Sequence, residues 1–335
     1  MDNAAIEVRE LVKKFGEITA VNGVSFEVRE GEFFGFLGPN GAGKTTLIRM
    51  LNTLLKPTSG KAAVAGFDVV KEPDEVRRAI GVVPQAMTSD LDLTAYENMD
   101  IYGRFYSIPA RERKERIARL LEIVGLAERG NDLVATYSGG MRRRLEIVKA
   151  LVHRPQILFL DEPTQGLDPQ SRRTVWELLK GFEEEEKLTI FLSTHYMEEA
   201  EELCGRVGII DYGKIIAMDS PEKLKGELPE RDTVLLELPD PAEEMVRALK
   251  EFDFVLDVKR ENDTLTLSVK NGAHVTPLIL SRILEFGKTV TSVNIKERSL
   301  EDVFIYYTGR SIREEEARKV SRFIGAGVPS KLVQR

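Results

Sequence analysis

The segment Gly38-Pro39-Asn40-Gly41-Ala42-Gly43-Lys44-Thr45-Thr46 has the spacing G-x-x-x-x-G-K-T. Glycines so spaced let a backbone close on an anion and turn its N–H groups inward, and a helix starting just behind them adds its positive end. Lys44 then supplies a point charge for the β- and γ-phosphates of a nucleotide, and the Thr45 hydroxyl is placed to ligate Mg2+. A second stretch, Ile157-Leu158-Phe159-Leu160-Asp161-Glu162-Pro163, ends an apolar run in adjacent carboxylates. Neighbouring side chains on a strand point to opposite faces, so the acids have different tasks. Asp161 supports the Mg2+ shell, and Glu162 polarises an attacking water, a general-base role contributing about 10²–10⁴ in rate. A third stretch, Tyr137-Ser138-Gly139-Gly140-Met141, opens a helix and makes a second anion site. One nucleotide already has its cradle at 38–46, so two readings stay open. Both helix ends grip the same phosphates within one chain, or the second completes the site of a neighbouring molecule.

These groups need rigid elements to hold them. From residue 5 to about 218 short apolar runs alternate with helical stretches, which implies an α/β fold with a largely parallel sheet. The expected strands are 32–37, 79–84, 156–163, 188–195 and 206–218. The run 157–160 is apolar at every position, as in a central strand covered on both faces. Residues 6–28 alternate instead, which predicts an antiparallel β region. Residues 88–150 read as helical, with 110–126 the clearest amphipathic helix. Beyond 232 the pattern becomes β-α-β-β-α-β, the split motif of ferredoxin-like domains, followed by a helix capped by Ser299 with Glu301 and Asp302 in its first turn. The expected organisation is a nucleotide-binding domain at 1–222 with a helical subdomain at about 88–152, a smaller α+β ferredoxin-like domain at 232–310, and a tail at 311–335.

Bulk properties exclude several classes. The 335 residues suffice for two domains, and a formal charge of −7 argues against a nucleic-acid partner. The basic run 111–119 reads as a solvated helix face. A single cysteine, Cys204, rules out an intramolecular disulfide and reads as a small core residue. No signal peptide and no apolar run of membrane-spanning length is read, so any membrane role comes through a partner. His153 and His274 have no chemical context in the sequence.

Taken in order, residues 5–220 resemble the nucleotide-binding subunit of an ABC transporter. Gly38–Thr46 matches the Walker A loop, Tyr137–Met141 the signature, and Ile157–Pro163 the Walker B strand. The resemblance implies further roles. Phe15, with Val21, would hold adenine; Gln85 would be the Q-loop residue that reaches the metal and the water; Asp168 would be the D-loop acid; His195 would be the switch histidine that senses the γ-phosphate. It also implies an ABC-type P-loop fold, ATP and Mg2+ as ligands, and a head-to-tail dimer in which Ser138, Gly139 and Gly140 of each copy touch the nucleotide of the other. Tyr137 and Met141 depart from the usual leucine and glutamine, which puts a glutamine's ribose contacts in doubt but not the phosphate-facing residues. "YSGGM" and the C-terminal domain resemble the drug-resistance or ABC-2 export branch, whose ATPases pair with a separate membrane subunit at the inner face of the cell membrane. The segment 87–99 after Gln85 is the expected docking surface. The rival expectation is a soluble ABC-type ATPase with a mechanical or regulatory task.

Overall fold

The computed structural model describes residues 4–229, 232–296 and 298–309, so the tail expected at 311–335 lies outside the described residues. The chain divides into two compact units on either side of Pro221 and Glu222.

In the first unit, β1 (Ala4–Phe15) and β2 (Ile18–Arg29) pair antiparallel, as their alternation predicts. With β4 (Ser59–Val64) and β5 (Phe67–Asp68) they form a sheet in the order β2-β1-β4-β5. The second sheet runs β10-β9-β3-β8-β7-β6. Its members are β3 (Phe33–Leu37), β6 (Ile80–Val83), β7 (Ile157–Asp161), β8 (Thr189–Thr194), β9 (Arg206–Asp211) and β10 (Lys214–Asp219). All its pairings are parallel except the β9–β10 edge. Every residue of β3, β7 and β8 is buried, which is why these segments carry no polar alternation. Phe26 of β2 stacks on Phe34 of β3 at 5.6 Å and lies 6.0 Å from Phe191 of β8. Offset aromatic contacts of this kind weld one sheet to the other. The stretch 206–218, expected as one strand, is a hairpin: Tyr212 and Gly213 both take positive φ, 45° and 75°, the geometry that closes a tight two-residue turn.

The helices are α1 (Lys44–Leu51), α2 (Pro73–Ala79), α3 (Ala95–Phe105), α4 (Ala110–Ile123), α5 (Gly139–Leu151), α6 (Pro169–Glu186) and α7 (Met197–Leu203). A capping box between Thr94 and Glu97 starts α3. The basic run on α4 is not simply a solvated face. Arg113 is buried, bonded to Asp100 at 2.5 Å and to the Ile108 carbonyl at 2.6 Å, and Arg116 donates to the Val152 carbonyl at 3.0 Å. Arginine can join helices this way because its stem packs while its fork finds oxygens.

Helix α8 (Pro221–Gly226) stands at the division, which falls at the start of the expected boundary region 222–232. The sheet of the second unit has the order β12-β13-β11-β14, all antiparallel. The strands are β11 (Asp232–Glu237), β12 (Val255–Glu261), β13 (Thr264–Val269) and β14 (Ser292–Lys296), with α9 (Glu243–Lys250) and α10 (Gly272–Glu285) between them. That is the ferredoxin-like split motif. Val234, Leu236, Leu265 and Leu267 meet Met245, Leu249, Ile279 and Ile283 in its core. The last helix among the described residues, α11 (Leu300–Thr308), begins with a capping box of Ser299 and Asp302.

His153 is a structural histidine. Its ring stacks on Tyr106 at 3.7 Å and Nε2 lies 2.9 Å from the Ile80 carbonyl. Burial pushes its pKa down from 6.5 to about 4. Between those values the unfolded chain takes up a proton that the folded chain refuses, so stability falls as pH drops through this window. His153→Phe keeps a ring on Tyr106 but cannot titrate. Urea unfolding at pH 7 and pH 4.5 should show wild type losing about 2–3 kcal/mol more than the variant. Equal losses would mean that His153 is not held neutral.

Candidate functional site

The Walker A segment leaves β3 at its carboxyl end, where parallel sheets bind ligands. Gly38 begins the loop with its N–H on the Thr194 carbonyl at 3.3 Å. A Cβ there would lie 2.3 Å from the Ile210 carbonyl oxygen, and one at Gly43 would lie 2.4 Å from that of Ala20. Gly43 also has φ of 112°, a backbone state closed to residues with a side chain. Pro39, Asn40, Gly41 and Ala42 complete the loop; Ala42 N donates back to Pro39 O at 3.1 Å, and Gly213 N from the β9–β10 turn holds Ala42 O at 2.9 Å. The start of α1 has no side-chain cap and no acid in its first turn, so its dipole favours an anion there. Thr45 and Thr46 follow on that first turn. Lys44, only 4% exposed, donates to the carbonyls of Gly38 at 2.6 Å and Pro39 at 3.2 Å.

The two acids at the end of β7 face different partners, as strand alternation requires. Asp161 Oδ1 accepts from Thr45 Oγ1 at 3.2 Å and from Ser193 Oγ at 2.5 Å. A hydroxyl and one carboxylate are hard oxygen donors carrying a single charge. Such a pair suits Mg2+, which keeps several waters and phosphate oxygens of its own. Glu162 turns the other way, 3.4 Å from Lys44 Nζ and 2.8 Å from His195 Nδ1. Burial pushes its pKa up, but the His195 ring and the Lys44 charge outweigh burial and hold it below the ordinary 4.5. Glu162 also has φ of 51°, an outlier for a side-chain-bearing residue. Bonds from Glu162 N to Ser193 O at 2.9 Å and from Gln165 N to Glu162 O at 3.3 Å keep it there.

The remaining expected residues are less uniformly placed. Phe15, at the tip of the β1–β2 hairpin, is 48% exposed, with Lys13 Nζ 5.1 Å from its ring. Val21 is a correction: it is entirely buried in the core and presents no face to a base. Ile18, paired with Phe15 across the hairpin, is exposed beside it; a two-residue turn at 16–17 sets position 18 opposite 15, which could have pointed to it. Gln85 donates its amide to Gln165 Oε1 at 2.6 Å and makes no hydrogen bond to Thr45 or Asp161 among the described residues. Asp168 caps α6, accepting from Ser171 N at 2.9 Å and Ser171 Oγ at 2.6 Å. Ser138 caps α5, its hydroxyl accepting from Met141 N at 3.3 Å. Gly140 is needed within the chain, since a Cβ there would meet Ser171 Oγ at 2.5 Å; at Gly139 the nearest atom would be Leu167 Cδ2, at an ordinary 3.8 Å.

The helix behind the signature also grips the Q-loop, which motif reading did not reveal. Arg143, fully buried, donates to the carbonyls of Pro84 at 2.9 Å and Gln85 at 3.0 Å. Glu146 accepts from Thr88 N at 2.9 Å and Ser89 N at 2.5 Å, while Lys149 donates to the Thr88 and Ser89 hydroxyls at 2.8 and 2.9 Å. The i,i+3 spacing of charges on an otherwise apolar helix face was the available signal.

Two family patterns match the chain: ABC transporter over residues 21–165, and the ATP-binding protein DrrA1-3-like C-terminal domain over 220–308. The linearmycin resistance ATP-binding protein LnrL of Bacillus subtilis (strain 168) is 38% identical over 311 residues, covering 92% of this chain and 100% of the relative. The daunorubicin resistance ATP-binding protein DrrA2 of Streptomyces coeruleorubidus is 38% identical over 325 residues, covering 96% and 100%. Among solved structures, the dimeric post-hydrolysis state of the ATP-binding cassette MJ0796 bound to ADP and Pi has a TM-score of 0.58 at 29% identity, covering 64% of this chain and 98% of that one.

A buried ion pair broken on one side costs about 3–5 kcal/mol, whereas apolar replacement of both partners is often tolerated. Glu146→Leu should therefore lower unfolding stability by that amount in urea titrations, and Glu146→Leu/Lys149→Met should recover most of it. A double variant as unstable as the single one would refute the pairing.

Proposed function

The chain belongs to the ABC transporter ATP-binding proteins, in their drug-resistance export branch, and from that premise we propose that it drives export through a separate membrane chain by closing and opening as a dimer around ATP. The carrying observation is the placement of Glu162 between Lys44 and His195, beside the Thr45–Asp161 pair.

Thr45 and Asp161 would hold Mg2+, which would supply positive charge to neutralise the phosphates. Gly38 to Thr46 supply backbone and Lys44 to the triphosphate, and Phe15 offers its exposed ring to adenine, with Ile18 beside it rather than Val21. Glu162, held ionised, accepts a proton from the attacking water at its carboxylate. His195, 2.8 Å away, reads the γ-phosphate and its loss. Gln85 reaches the metal and water when its bond to Gln165 is exchanged for them. Ser138 and Gly139 are exposed, and among the described residues the nearest atom to a Cβ at Gly139 would be Leu167 Cδ2, at an ordinary 3.8 Å. This supports the second reading of the signature: its helix tip completes the nucleotide site of a second copy, head to tail. Differential contact with the γ-phosphate is what lets hydrolysis shift such a dimer from closed to open.

Met87 and Leu91 are exposed on the segment after Gln85, which suits it for docking the membrane subunit. Among the described residues no helix is long and apolar enough to cross a membrane, so the chain would sit peripherally on the inner face through that subunit. Names of relatives refer to antibiotic resistance and Nod factor export, and export is the direction we infer here.

Two experiments test this. Glu162→Gln should bind ATP with near-native affinity in calorimetry, lose about 10²–10⁴ in turnover, and accumulate as a nucleotide-bound dimer on sizing columns; normal turnover would remove Glu162 as the base. In mixed dimers, Ser138→Arg in one copy should silence the hydrolytic site whose Lys44 belongs to the other copy. Full activity there would refute completion between copies.

A further inference from the structure

Glu199 on α7 is 0% exposed. Its Oε1 accepts from Thr164 Oγ1 at 2.7 Å and from Trp176 Nε1 at 3.1 Å. Its Oε2 has no hydrogen-bond partner among the described residues. Burial is expensive for a carboxylate, and a leucine would fill apolar space at less cost. Burial pushes the Glu199 pKa up against the pull of Thr194, Thr164, Trp176 and the Arg172 charge. With Oε1 accepting from two side chains on different elements, the group acts as a hydrogen-bonding clasp.

What the clasp joins is specific. Thr164, itself fully buried, lies two residues beyond Glu162 and roots the loop that runs to Asp168. Trp176 is on α6, the helix that Asp168 caps. The helix carrying Glu199 begins at Met197, two residues after His195. One carboxyl therefore fastens the backbone after the catalytic base, the helix after the D-loop and the helix after the switch histidine.

We propose that Glu199 is a positioning residue for hydrolysis: through Thr164 and Trp176 it locks the Glu162 and His195 segments at the spacing that brings the two side chains within 2.8 Å. This rests on the roles given above to Glu162 and His195. A merely structural Glu199 would affect melting but not the partition between turnover and substrate binding. Trp176, the single tryptophan of the chain, reports the clasp directly through its indole N–H.

The test uses the full-length chain, Mg2+-ATP turnover and intrinsic fluorescence. Glu199→Gln keeps the Oε1 acceptor and the side-chain shape, so kcat should stay within about twofold of wild type and the emission maximum should not move. Glu199→Ala should lower kcat about 10–100-fold at near-constant KM and shift Trp176 emission, because misplacement of an ångström can cost that much. Thr164→Val is nearly isosteric and decides the matter if the alanine variant does not fold. It should lower kcat about tenfold with KM unchanged. Wild-type kcat in Thr164→Val, or equal losses in the Gln and Ala variants, would overturn the proposal. Glu162→Gln run alongside separates the failures: if it loses turnover while Thr164→Val and Glu199→Ala keep wild-type kcat, only the clasp is wrong. If Glu162→Gln turns over normally, the site reading itself falls and takes this inference with it.

Discussion

A lysine ammonium with 4% of its surface exposed, next to a carboxylate with 5%, is the condition on which the rest of the first unit depends. Isolated charges in so dry a place would be prohibitive. Lys44 survives there because two loop carbonyls and Glu162 surround it, and Glu162 survives because Lys44 and His195 do the same for it. A triphosphate brought into the loop meets charges that are already desolvated and oriented. Little reorganisation remains at the moment of reaction, which is where preorganised electrostatics acts most strongly.

Such an arrangement demands backbone precision that ordinary strands and helices do not supply. Gly38 and Gly43 pass within Cβ distance of Ile210 and Ala20 carbonyls, so β9 and β2 close the loop from outside. Glu162 sits in the left-handed region, a state costing about 1–3 kcal/mol for such a residue. The neighbouring strand over-determines it through Ser193, whose carbonyl takes the Glu162 N–H while its hydroxyl serves Asp161. The Asp161 and Glu162 carboxylates are thus held toward different partners with the help of one residue of β8. The same logic continues outward. Helix α5 carries Ser138 at its start and, within its first three turns, the Arg143, Glu146 and Lys149 side chains that hold the segment from Pro84 to Ser89. A displacement of that segment is therefore passed to the helix that begins at Ser138.

Much of this was legible in the residue string. The α/β class, the membership of the ABC transporter ATP-binding proteins and the export branch follow from motifs whose chemistry tolerates few alternatives, and the fold and relatives bear them out. Spacing alone determines that a glycine loop, a lysine and a hydroxyl meet one phosphate chain, because those residues are contiguous. Alternation predicts that Asp161 and Glu162 diverge, although Glu162 lies just past β7 at a φ of 51°. The hydrophobic run 157–160 announces a strand covered on both faces.

Other features belong to tertiary structure, because they join residues distant in sequence. Val21 and Ile18 are both apolar and both lie near Phe15; only packing against the second sheet buries one and leaves the other exposed. Arg113 and Arg116 look like surface charge until Asp100, Ile108 and Val152 come up against them. Gln85 has a side chain long enough for several partners, and the fold, not its type, hands it to Gln165. Glu199 in a run of glutamates is indistinguishable from its neighbours until Thr164 and Trp176 close over it. Local chemistry can be written in a short segment, but desolvation is a property of what surrounds that segment, and the surroundings exist only once the chain has folded.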